Sequence, residues 1–149
     1  MRIRITKENG GHRLICTRRN GTRAQGPVGE GIPHHDLARY AVEQELHLFQ
    51  GFFGLINEGW TIAQLSDLTL MRTLPDEALL ADVLTRTLQG LSNGAVAQHD
   101  FISAVEVELP RVPNGLTGAV ITRMLGTYVA LLNAWENVPE GAALELRWR

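Results

Sequence analysis

At 149 residues the chain has the size of one domain, and a chain of that length buries roughly 70% of its unfolded surface, so a core forms without disulfide or metal staples. Apolar residues make up 44% and charged residues 20%, with a net charge of −2, which excludes a disordered chain and gives no whole-protein field toward nucleic acid or a membrane. The single cysteine, Cys16, excludes an intramolecular disulfide and a zinc site of several thiolates, so residues 1–149 read as one α+β domain in a reducing cytoplasm.

The chain opens on alternation. Arg2-Ile3-Arg4-Ile5-Thr6 predicts a strand with Ile3 and Ile5 on one face, and the absence of an unbroken apolar stretch argues against a signal peptide. Asn9-Gly10-Gly11 supplies a tight turn, and His12–Arg18 runs back as a second strand, with Cys16 as a small buried hydrophobe. Asn20-Gly21 marks another turn, and the Gly- and Pro-rich stretch from Gln25 to Pro33 reads as loop. A helix is expected from Pro33, with Asp36 in its first turn and Ala38, Ala41, Val42, Leu46 and Phe49 as its apolar stripe. Gly51 and Gly54 flank Phe52-Phe53, which press into the core. Thr61–Leu68 predicts a short helix capped by Thr61 and Gln64.

Pro75-Asp76-Glu77 opens the clearest helix, with Leu79, Leu80, Val83, Leu84, Leu88 and Leu91 on one side and Asn93-Gly94 at its end. Phe101–Leu109 fits both helical and strand periods, and we read it as helix. Leu116–Trp135 is long enough to cross a bilayer, but Arg123 near its middle costs at least roughly 2.5 kcal/mol there, so a buried core helix is expected and no membrane partner. Within it Gly118, Thr122, Gly126, Ala130 and Ala134 form a stripe of small residues, expected to pack inside the monomer, with a self-association face as the alternative. Leu144–Trp148 alternates again. It needs strand partners, and the strong candidates are at the N-terminus. The predicted fold is therefore a small antiparallel sheet from the N-terminal hairpin and the C-terminal strand, packed by four to five helices.

Three blocks, His35-Asp36-Leu37-Ala38-Arg39-Tyr40-Ala41-Val42-Glu43, Gly51-Phe52-Phe53-Gly54-Leu55 and Leu144-Glu145-Leu146-Arg147-Trp148, resemble in order and spacing a family of small uncharacterised bacterial proteins. That family often carries His where this chain has Arg39. The resemblance implies a bacterial, cytosolic protein and no particular activity.

Residues bearing chemistry fall in two groups. His34, His35, Asp36, Arg39 and Glu43 form a candidate polar site on the first helix, where His35, Arg39, Glu43 and His47 recur at four-residue spacing. A His-x₃-His-x₃-Glu array suits zinc, but the fixed cation at Arg39 repels a metal, so no metal is expected. The simpler reading pairs Arg39 with Asp36 or Glu43. No cofactor is indicated. The second group is basic: Arg2, Arg4, Lys7, Arg13, Arg18, Arg19 and Arg23 are seven of the 14 Lys and Arg residues. Arg2, Arg4, Arg147 and Arg149 would share the open sheet face as a candidate anion-binding site, set against the simpler reading of a charged face that deters strand-to-strand aggregation. That face lacks aromatic residues to stack bases, which counts against nucleic acid.

Phosphate-loop and Gly-x-Ser-x-Gly motifs are absent, Ser66, Ser92 and Ser103 have no base nearby in sequence, and His99-Asp100 reads as a loop or helix cap. The leading expectation is a non-enzymatic interaction or accessory protein, homodimeric through the small-residue helix or the Phe52-Phe53 region. The alternatives are a small metal-dependent or hydrolase-like enzyme using the His34–Glu43 helix, and polyanion binding by the basic sheet face.

Overall fold

The computed structural model describes residues 1–149. The chain forms β1 (Arg2–Glu8), β2 (Gly11–Thr17), β3 (Arg23–Gln25), β4 (Gly29–Glu30), α1 (His34–Leu46), α2 (Phe52–Glu58), α3 (Ile62–Leu65), α4 (Asp76–Ser92), α5 (Phe101–Glu108), α6 (Gly118–Glu136) and β5 (Ala143–Arg147). It is an α+β fold. The sheet is antiparallel in the order β3-β2-β1-β5, with β4 added beside the start of β2.

The β1–β2 turn is Asn9-Gly10, both with positive φ, as a two-residue hairpin loop demands. Its register sets Ile3 opposite Cys16 and Ile5 opposite Leu14, while on the other side Ile3 meets Leu146 and Ile5 meets Leu144. One face of the sheet is thus apolar across its strands. Ile3, Ile5 and Cys16 are fully buried, and burial pushes the Cys16 thiol up to about 12. The chain ends clasp each other. The Met1 ammonium donates to the carbonyl of Trp148 (3.0 Å), the N–H of Trp148 donates back to Met1 (3.1 Å), and the Trp148 side chain is buried.

Helix α1 lies within the core through Leu37, Ala38, Ala41 and Val42, packs against both α4 and α6, and α5 packs on α4. Phe101–Glu108 is helix, its Phe101 and Val105 buried. The helical layer holds six α-helices, the four-residue α3 among them. No helix is long and apolar enough to cross a membrane.

Three expectations about faces are corrected. The small-residue stripe of α6 does not pack inside the monomer: Gly118, Thr122, Gly126, Ala130 and Ala134 are all exposed, and the space beside Gly118 and Gly126 is open. Helix α6 instead seats Ile121, Met124, Tyr128 and Trp135 inward, because large side chains remove more apolar area from water than small ones. Phe49 lies past the end of α1 and is exposed, its ring edge-on to Trp148. Leu79 also leaves the core, being 53% exposed on the first turns of α4.

Candidate functional site

Helix α2 has only seven residues, too few to be stable by propensity alone, and it is held at both ends by charged side chains from elsewhere. At its N-terminus the carboxylate of Glu43 accepts from the backbone N–H of Phe53 (3.1 Å) and of Gly54 (3.2 Å). Glycine is required around this contact. A Cβ on Gly51 would strike the Glu43 carboxyl group, and a Cβ on Gly54 would strike the carbonyl of Phe49. At the C-terminal end Arg18, from just beyond β2, donates to the carbonyls of Ile56 (2.5 Å) and Trp60 (2.8 Å). A negative group at the start and a positive one at the end both match the helix dipole. Glu43 is 1% exposed, and burial raises its pKa to about 7 against the opposing pull of the Phe53 and Gly54 amides and of Arg39.

The remaining candidates on α1 are divided rather than gathered. His34 is exposed, its Nδ1 3.3 Å from the hydroxyl of Tyr128. His35 turns to α4, donating from Nδ1 to Oε1 of Gln89 (2.7 Å) with Nε2 3.9 Å from Asp82. Burial, then Arg39, lowers its pKa. Asp36 pairs with Arg39 (3.3 Å) and stands 4.0 Å from His12. Arg39 is therefore Asp36's partner and not Glu43's. Its guanidinium also lies over the Phe52 ring, 4.0 Å from the centroid. His47 ends the helix in the left-handed conformation. His35, Glu43 and His47 do not converge, and no group of three or more His, Cys, Asp or Glu side chains is arranged to hold a metal ion.

Arg39 and Glu43 nonetheless share a cavity of about 370 Å³ enclosed by α1, α2, the segment from Leu65 to Pro75 and the start of α4. Its wall is more apolar than polar, with Phe52, Leu55, Leu65, Leu74 and half-exposed Met71 and Leu79, and Arg72, Asp76 and Asp82 join Arg39 and Glu43 as its charged residues. Arg39 donates only to Asp36 within the chain and is 23% exposed, which leaves most of its five N–H groups free. His34, His35 and Asp36 are not part of the wall. No sequence pattern marks this cavity: Leu79, which lines it, is expected from its spacing on the buried side of its helix.

The basic residues are also divided. Lys7 donates to the carbonyl of Trp135 and lies over its ring, Arg13 pairs with Glu8 (2.7 Å), and Arg18 is committed to α2. Arg2 and Arg4 stand on the open sheet face, where they line a polar depression of about 350 Å³ with Thr6, Ile15, Thr17, Arg23 and Glu145. Arg147 is directly opposite Arg2 in the ladder. Arg149 lies past the end of β5, near Tyr40, whose pKa is raised by burial against the opposing pull of Arg149. Arg23, which the sequence reading left out of the anion site, belongs to it. Searches of protein-family models, curated proteins and solved structures find no match to this chain.

Proposed function

We propose that this is a non-enzymatic binding protein whose ligand is a small, mostly apolar molecule with one acidic group, taken up in the cavity between α1, α2 and α4. The observation that carries the reading is the Arg39 guanidinium, fixed on Phe52 and Asp36 with most donors unspent, beside the apolar part of a wall that also carries Glu43, Arg72, Asp76 and Asp82. A concave, mainly apolar site with few well-placed polar groups is the usual form of a small-molecule site, and a guanidinium fork matches a carboxylate. Binding is favoured over catalysis because the groups suited to acid–base work already have partners: Glu43 caps α2, His35 holds Gln89, and Asp36 holds Arg39.

The test is titration with octanoate and with 1-octanol, which differ in the charged head. Octanoate should bind about tenfold or more tightly, since a charged hydrogen bond is worth about 1.5–3 kcal/mol. Arg39→Gln should abolish that preference, and Leu79→Asp, at an exposed position, should weaken octanoate without unfolding the protein. Equal binding of the two ligands, or no binding of either, contradicts the proposal.

A homodimer through α6 is a second reading, favoured by the exposure of its small-residue stripe. A strict monomer by light scattering at high concentration would remove it.

A further inference from the structure

The open face of the sheet carries a feature that the cavity does not use. The pairings β3–β2, β2–β1 and β1–β5 place Arg23, Thr17, Arg2 and Arg147 in one row across four strands, and Arg4 stands in the next row beside Ile15 and Glu145. Neighbouring strands are about 4.8 Å apart, so Arg2 and Arg147 are direct cross-strand neighbours of like charge, an arrangement that costs stability in the free protein. The side chains of Arg2, Arg23 and Arg147 have no ion pair or side-chain hydrogen bond within the chain, and Arg4 has only the partly exposed Glu145 at 3.5 Å. The positive field extends to the chain start, where Arg19 and Arg147, after burial, lower the pKa of the Met1 amine.

Guarding a sheet edge accounts for Arg23 and Arg147, on the outer strands β3 and β5, but not for Arg2 and Arg4. Arg2 and Arg4 are on β1, whose backbone is already paired on both sides, so no free edge needs protecting there. The cations of the row are all arginine, the side chain whose planar fork matches phosphate oxygens. It spans the sheet, more than one phosphate group requires. No aromatic side chain lines the depression, and Trp148 is buried, so the face offers nothing for unpaired bases to stack on. A duplex keeps its bases stacked within itself and presents only phosphates to such a surface.

We infer that the row Arg23–Arg2–Arg147, with Arg4, is a binding face for the phosphate backbone of double-stranded nucleic acid, read without regard to sequence. The net charge of −2 does not oppose this, because the two carboxylates on β1 and β5, Glu8 and Glu145, are each paired with an arginine.

The experiment is fluorescence anisotropy of a labelled 20-base-pair duplex DNA of arbitrary sequence against the whole protein at several salt concentrations. A dissociation constant of about 1–100 μM near physiological salt is expected, and four phosphate contacts give a slope of log K against log salt of about −3.6. Arg2→Gln combined with Arg23→Gln should reduce that slope by about two and weaken binding at low salt by tenfold or more. Both positions are exposed and unpaired, so an unchanged melting temperature separates lost binding from lost fold. No binding at low salt, binding that ignores salt or the double substitution, or equal affinity for a single strand of the same length would overturn the inference.

Discussion

The carboxyl carbon of Glu43 lies 2.5 Å from where a Cβ on Gly51 would stand. The buried acid and the missing side chain are two halves of one contact, which fixes the start of α2 and with it the Phe52 wall of the cavity. Glu43→Ala should destabilise the protein by about 2–5 kcal/mol, since it strands two buried N–H groups and opens a void. Gly51→Ala should cost about 1–3 kcal/mol by overpacking. In chemical denaturation the double substitution should be less damaging than the sum of the two, because removing the carboxylate makes room for the methyl group. Strict additivity would deny the contact.

The same group makes stability depend on pH in an unusual direction. The pKa of Glu43 rises from 4.5 to about 7 on folding, so across that window the folded protein holds the proton more often than the unfolded chain. Stability should therefore fall as pH rises from 4.5 to 7 and level off above, by about 3 kcal/mol at most from this group. His35, whose pKa is lowered on folding, works in the opposite sense below pH 6.5. Glu43→Gln leaves His35 in place, so the difference between the two proteins isolates Glu43. Parallel pH profiles would refute the assignment.

The architecture was legible where alternation is strict. Ile3 and Ile5 alternate on β1 as Leu144 and Leu146 do on β5, the register sets the two pairs side by side, and with Trp148 they form the apolar side that brings the chain ends together. The site was less legible, for geometric reasons. Residues four apart drift by about 40° around a helix, so His35, Arg39 and Glu43 form one row in sequence but reach different surroundings. His35 faces Gln89, Arg39 faces Phe52, and Glu43 enters the core. The acceptor role of Glu43 depends on α2, whose approach is set by glycines at positions 51 and 54. The cavity draws its wall from four helices and the stretch before α4, which no periodic pattern marks.

Arg18 should matter to stability although it lies at the end of an exposed turn. Its guanidinium bridges the carbonyls of Ile56 and Trp60, a geometry that one ammonium group does not reproduce. Arg18→Gln is expected to cost about 1–3 kcal/mol and Arg18→Lys nearly as much, as measured by urea denaturation. Full retention of stability in the lysine variant would show that charge alone suffices.

Cys16 should be inert in the folded protein. It is fully buried with its pKa near 12, so a thiol reagent at neutral pH should modify it only at the rate at which the sheet opens. Raising urea should accelerate modification in step with unfolding. Rapid labelling in native buffer would contradict the placement of β2.

The cavity itself is tested most directly by backbone amide NMR during octanoate titration. The account expects saturable shifts confined to Arg39, Phe52, Leu55, Leu65, Leu74 and Leu79, with the sheet strands unmoved. Shifts centred on the strands or on α6, or a spectrum that octanoate leaves unchanged, would contradict it.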